Sequence, residues 1–266
     1  MDFKNKVVLI TGASSGIGKE TAKQFAIQGS HVILVARRKH RLEQVADDLK
    51  KFNSSILVCE CDVSNKDEVE KMSKFILEKF ESIDILVNNA GFAIYGSVSD
   101  LTIEEIESQM ATNYFGMIYC IKNFLPSMIK KKSGHIVNVA SVAASFGLPG
   151  IASYCASKFA MLGFSEGLKY ELKGTGIGIT VVSPILVRTE FFNHPSFEKI
   201  PKYSPTSISD KTVAKTILRA ANSQRLEIIV PEVVRGAIWI KNVFPYLINP
   251  ILGFAFKKQF NSKTKN

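Results

Sequence analysis

Short runs of Val, Ile and Leu recur along the chain, each followed by a longer stretch in which apolar residues return every three or four positions. The runs KVVLI at 6–10, HVILVA at 31–36, SILVCE at 55–60, DILVNN at 84–89, GHIVNVAS at 134–141, GITVVSP at 178–184 and LEIIVP at 226–231 read as strands. Helical periodicity occupies 19–27, 42–51, 66–79, 103–124, 151–172 and 210–221. Strands apolar at consecutive positions are buried on both faces, and strands that alternate with helices are joined by right-handed parallel crossovers. The pattern predicts an α/β fold, a doubly wound parallel sheet of about seven strands with helices on both faces. No Pro/Gly/Ser-rich linker, internal repeat or low-complexity tract divides the chain, so one domain is expected over 1–258. Within it, 190–207 and 232–258 are assigned to a substrate loop and a C-terminal extension, and the polar 259–266 is expected to be disordered.

Ligands of such sheets bind beyond the carboxyl ends of the strands, and the chain places its chemistry there. TGASSGIG follows the first strand, with Gly12, Gly16 and Gly18 around Ser14, Ser15 and Ile17. Glycines let the backbone turn tightly against a pyrophosphate, whose charge is favoured by the free N–H groups of a helix start. The second strand ends in Arg37 and Arg38, where a dinucleotide fold often carries a carboxylate for the adenosine ribose. Guanidinium groups bind a ribose phosphate that a carboxylate would repel. NADP(H) is therefore expected, with Arg37 as the main contact and Arg38 or Ser14 assisting. At the third strand end Asp62 is expected to accept from the adenine amino group, with the Val63 backbone on the ring. At the fourth, Asn88, Asn89, Ala90 and Gly91 are expected to form a wall beside the ribose.

YCASK sets the phenol of Tyr154 and the ammonium of Lys158 one helical turn apart. Alone, such a pair is as compatible with a solvated surface as with chemistry. Composition narrows the field. With 46% hydrophobic and 22% charged residues the chain is globular, and its net charge of +10 is spread over short basic clusters with no interleaved aromatics, which argues against nucleic acid. Cys59, Cys61, Cys120 and Cys155, like the scattered His31, His40, His135 and His194, offer no metal-ligand spacing, so no metal is expected. The first residues are too short an apolar run for a secretory signal, and a reducing, cytoplasmic protein is expected.

TGASSGIG, NNAG, Asn113, Ser141 and YCASK, in that order, resemble the short-chain dehydrogenase/reductase family over about residues 6 to 189. The resemblance implies a single-domain Rossmann fold and a tetrad of Asn113, Ser141, Tyr154 and Lys158. Tyr154 would exchange a proton with a carbonyl or alcohol oxygen, and Ser141 would polarise that oxygen. Lys158 would bind the nicotinamide ribose and lower the pKa of Tyr154, and Asn113 would hold a water in the proton relay. Pro184, Val187 and Thr189 stand where members of the family contact the nicotinamide. Ile185 departs from the pattern, which usually has glycine after that proline. A homodimer or homotetramer is expected. The substrate is expected to be a small carbonyl or alcohol, with Phe146, Leu148, Phe191, Phe192, Phe197 and Trp239 suggesting an apolar lining. The reading of another class is a non-catalytic NADP(H)-binding sensor or scaffold.

The stretch from Val233 to Phe256 is apolar and aromatic but interrupted by Arg235, Lys241, Pro245 and Pro250, which argues against a spanning helix. Three readings stand: a lid over the substrate, a homo-oligomer surface, and an in-plane membrane contact flanked by Lys257 and Lys258.

Overall fold

Val7–Thr11 (β1) is buried at every position, and each of its faces meets a different layer of helices. A computed structural model describes residues 3–52, 55–198, 206–246 and 248–250. The expected tail 259–266, Lys257, Lys258 and parts of both expected substrate segments lie outside the described residues. β1 is followed by α1 (Gly16–Ile27), β2 (His31–Ala36), α2 (Lys39–Leu49), β3 (Ile56–Glu60), α3 (Lys66–Phe80) and β4 (Ile85–Asn88). Next come α4 (Ile103–Met110), α5 (Gly116–Lys131), β5 (Gly134–Val139), α6 (Ala152–Glu171) and β6 (Ile177–Pro184). The described chain closes with β7 (Val187–Arg188), β8 (Ile208–Ser209), α7 (Asp210–Ala220), β9 (Glu227–Val230) and α8 (Val234–Val243).

Seven strands form one parallel sheet in the order β3-β2-β1-β4-β5-β6-β9. The register pairs Val8 with Val32 on one side of β1 and with Ile85 on the other. Because side chains alternate across a strand, Val8, Ile10, Val32 and Leu34 pack under α1, α2 and α7 against Phe25, Leu42 and Ile217. Leu9, Ile33 and Leu86 point the other way, toward Ile76, Phe124 and Met161 of α3, α5 and α6. The chain reverses direction of travel between β1 and β4, so the crevice of the fold opens above their carboxyl ends.

The expected helix 103–124 is two helices joined by a π-helical turn at Ala111–Phe115, and α5 runs on through Pro126 to Lys131. The wide turn is closed by the Gly116 N–H on the Ala111 carbonyl, five residues back. A capping box between Thr102 and Glu105 starts α4. The two-residue parallel pair of β7 with β8, which no periodicity announced, ties the chain after β6 to the start of α7.

Phe124 is fully buried on α5. Phe124→Ala should lower the unfolding free energy by about 3–5 kcal/mol in urea denaturation. A loss below about 1 kcal/mol would mean that this layer repacks around the missing ring.

Candidate active site

The glycine loop is shaped by what lies against it. Gly12 has φ +67°, and a Cβ there would stand 2.9 Å from Ala90 Cα and from Asn89 Nδ2. A Cβ on Gly18 would run into the Gly12 carbonyl. Thr11 Oγ1 accepts the backbone N–H groups of Asn89 and Ala90, each at 3.0 Å, and Asn89 Nδ2 donates to the Thr11 carbonyl at 2.9 Å. These bonds clamp the ends of β1 and β4 together. Ser15 at the start of α1 makes no side-chain capping bond, which leaves the helix N-terminus to a ligand in the crevice. The glycine turn and this helix start fit a dinucleotide pyrophosphate.

One cleft of about 720 Å³ runs from Ser14 and Arg38 past Asp62, Val63 and Gly91 to Ser141 and Tyr154. Ile17, Asn89 and Ala90 also line it, as do Pro184, Val187 and Thr189. Asn88, by contrast, is buried in the sheet, donates to Asn138 Oδ1 at 2.9 Å and does not reach the cleft. The expectation that it forms part of the ribose wall is corrected by strand alternation: consecutive side chains at a strand end face opposite ways, and Asn89 takes the place.

At the β2 end, Arg38 Nη2 donates to Ser14 Oγ at 3.0 Å and to Ser15 Oγ at 3.4 Å. Arg37 is more exposed and stands 3.7 Å from Asp62, whose other oxygen accepts from Ser64 N and Oγ. Arg41 of α2 also lines the cleft and pairs with Glu190 at 2.6 Å, joining the adenosine end to the segment after β7. Partial burial, then the neighbouring Arg41, lowers the pKa of Arg38. Three guanidinium groups around two serine hydroxyls make a corner suited to an anion.

Tyr154 and Lys158 lie on the buried face of α6, with Lys158 Nζ 5.6 Å from the phenol ring centroid. Lys158 Nζ donates to the Val139 carbonyl at 3.0 Å. Ser141, just after β5, accepts from Ala143 N at 3.1 Å and donates to the Pro184 carbonyl at 3.4 Å. Burial pushes the Tyr154 phenol above its ordinary range, and the nearby Ser141 hydroxyl only partly offsets it. Burial alone lowers Lys158 to about 7. The expected depression of Tyr154 by Lys158 is therefore not present among the protein groups. In a dry corner each side chain resists charge, and a half-neutral amine is a weak partner for phenolate.

Asn113 sits in the π turn, fully buried. Its Nδ2 donates to the Phe92 carbonyl and to Ser157 Oγ, and its Oδ1 accepts from Phe92 N, all at 2.9 Å. Ser157 Oγ in turn donates to the Tyr154 carbonyl at 2.7 Å. The Asn113 side chain is thus a strut between the loop after β4 and the turn carrying Tyr154. Ser157 was readable only as the spacer in YCASK. A Cβ on Gly91 would stand 3.0 Å from Asn113 Oδ1 and 3.5 Å from Lys158 Nζ, so glycine there lets the loop close over both.

Ile185 donates its N–H to the Val230 carbonyl at 2.9 Å and is not among the described residues with positive φ, so this position needs no glycine. Beyond Tyr154 the cleft is aromatic: Phe191 stands 5.6 Å from the Tyr154 ring, and Phe192, Phe197 and Leu148 complete the wall. Phe146 and Trp239, expected in that lining, are not part of it; Phe146 lies under Lys241 and Trp239 faces outward. Among the described residues no cluster of His, Cys, Asp or Glu could hold a metal.

The short chain dehydrogenase family model matches residues 6–198. The chain is 34% identical over 267 residues to 17-beta-hydroxysteroid dehydrogenase 13 of Rattus norvegicus, covering 98% of this chain and 87% of that protein. The structure resembles a short chain dehydrogenase/reductase of Burkholderia phymatum in complex with NAD, with a TM-score of 0.83, 24% identity and coverage of 93% and 96% of the two chains. It also resembles a metagenomic short-chain oxidoreductase in complex with NADP, with a TM-score of 0.75, 25% identity and coverage of 86% and 98%.

Unfolded lysine holds its proton up to 10.5, whereas folded Lys158 releases it at about 7. Between these values unfolding takes up a proton, so this group makes the native chain more stable as pH rises. Lys158→Met lacks the contribution, and its stability relative to wild type should fall as pH increases through that window, read from urea midpoints. A difference flat in pH would show that burial does not hold the amine neutral.

Proposed function

The chain belongs to the short-chain dehydrogenase family of nicotinamide-dependent oxidoreductases, and from that premise we propose that it is an NADP(H)-dependent enzyme reducing an apolar carbonyl compound to the alcohol. The observation that carries this reading is the cleft joining the glycine cradle to the corner lined by Ser141, Tyr154 and Lys158. Bound there, the nicotinamide supplies the hydride for the carbonyl carbon. Ser141 Oγ holds the carbonyl oxygen by a hydrogen bond. Tyr154, kept protonated at neutral pH by its burial, gives its phenolic proton to that oxygen as the negative charge develops. Lys158, with a pKa near neutrality, holds the ribose hydroxyls and can exchange the proton that Tyr154 must regain. Asn113 and Ser157 position the Tyr154 turn. The reverse direction uses the same groups, with Tyr154 taking up the proton of the alcohol.

The arginine corner supports NADP(H) over NAD(H). Arg38, already bonded to Ser14, is the proposed main contact for the ribose phosphate, with Arg37 and Arg41 adding charge. Phe191, Phe192 and Phe197 support an apolar substrate, in keeping with a relative named for hydroxysteroids. The scaffold reading gains no support, because the polar groups of a proton-transfer site converge on the cleft.

Tyr154→Phe should cut carbonyl-dependent NADPH oxidation about 10²–10⁴-fold, followed by absorbance across a set of steroid, retinoid and acyl-chain carbonyl compounds. NADPH binding should stay intact in a fluorescence titration. Turnover near wild type would end the assignment of Tyr154. Arg38→Ala should weaken NADPH by about tenfold or more and leave NADH unchanged. A larger loss in Arg37→Ala would restore Arg37 as the main contact.

A further inference from the structure

α8 rests on one narrow stripe. Ile238 is buried and Val234 and Lys241 are half-buried, whereas the remaining surface of the helix and the turn after it faces outward. That surface is apolar: Val233 is 82% exposed, Trp239 62% and Tyr246 93%, with Ile240, Val243 and Phe244 between them. Exposed apolar area of this kind on a folded chain marks a contact surface. The helix is held firmly. Arg235 Nη2 donates to the Glu227 carbonyl at 3.0 Å, and Lys241 Nζ donates to the Ser145 carbonyl while lying 5.1 Å over the Phe146 ring.

Charge decides between occupants. From Val233 to Asn266 the chain has no Asp or Glu and six cations: Arg235, Lys241, Lys257, Lys258, Lys263 and Lys265. The preceding carboxylate, Glu232, is paired with Arg225 at 3.0 Å. Within the described patch the cations are Arg235 and Lys241, each donating to a backbone carbonyl, and no side-chain carboxylate from Val233 on is there to pair with the cations of a second copy docked about a two-fold axis. An anionic lipid surface accepts both halves of the pattern, since aromatic and aliphatic side chains enter the headgroup boundary while lysines and arginines meet the phosphates.

We propose that α8 and the following turn, Val233 to Tyr246, dock the protein in the plane of an anionic membrane. Among the described residues no helix is long and apolar enough to cross one. The docking helix is tied through Lys241 to Ser145, four residues after Ser141. Delivery of a lipophilic carbonyl compound from the bilayer rests on the redox reading above, whereas the docking itself does not.

The chain has one tryptophan, Trp239, at the centre of this surface, and its emission reports the contact directly. The experiment adds phosphatidylcholine vesicles, with or without phosphatidylglycerol, to the full chain, and follows tryptophan emission and co-flotation. The expected result is a blue shift and flotation with the anionic vesicles, both weakened by salt and lost in Ile240→Glu/Phe244→Glu. That variant should still bind NADPH as wild type does, which separates loss of docking from loss of fold. Unchanged emission and no flotation would overturn the proposal. A blue shift that needs only higher protein concentration, with a dimer mass in sedimentation that the double variant abolishes, would overturn it in favour of a second copy. Because neither readout uses turnover, an inactive enzyme would leave this test intact.

Discussion

An amine and a phenol shut away from water in the same corner set the terms for everything near the cleft. Lys158 is 3% exposed and Tyr154 8%, so the ionised form of either loses hydration that the protein only partly replaces. The Val139 carbonyl takes one bond from the amine, and the Ser141 hydroxyl beside the phenol only partly offsets its burial. Both side chains are therefore held back from carrying charge, the phenol by a raised pKa and the amine by a lowered one.

Such a corner has to be built from several strands at once. β5 supplies Ser141 and the carbonyl of Val139, α6 supplies Tyr154 and Lys158, and the loop after β4 brings Gly91 over both. The link between these parts is the Asn113 side chain, which bonds the Phe92 backbone on one side and Ser157 on the other. Its reach comes from the π turn: one extra residue between α4 and α5 rotates the helix face inward at Asn113. On the cofactor side, the Thr11 hydroxyl performs a similar office by gathering the N–H groups of Asn89 and Ala90. Two short polar side chains thus hold the glycine loop, the β4 loop and the catalytic turn to one geometry.

The Arg41–Glu190 pair adds a bridge between the two ends of the cleft. Glu190 follows Thr189, whose side chain is the nearest neighbour of the missing Cβ of Gly16. The segment that leads into the aromatic wall is therefore anchored at the guanidinium corner, 149 residues away in sequence.

The sheet was legible in the sequence because its strands are apolar at consecutive positions, a signal that only burial on both faces produces. The HVILVA strand at 31–36 begins and ends where the pattern says, and the other six agree to within a residue or two. The glycine spacing, NNAG and YCASK were legible for the same kind of reason, since a close backbone approach or a shared helix face restricts which residue types serve. What periodicity cannot express is direction at an element's end. Asn88 and Asn89 are neighbours in type and position, yet one is buried in the sheet and the other clamps the cradle. Of Arg37 and Arg38 the sequence favours Arg37 as the main contact, and only the turn into α2 shows that Arg38 is the one on Ser14. The sequence by itself determined the fold class, the cleft and the residue types in it, because these follow from local pattern and short-range geometry. Tertiary structure alone decided that Asn89 and not Asn88 reaches the cleft, that Arg38 meets Ser14, that Trp239 turns away from the cleft, and that burial dominates at Tyr154. Each of those depends on what other elements bring to within a few ångströms, and on how completely they exclude water.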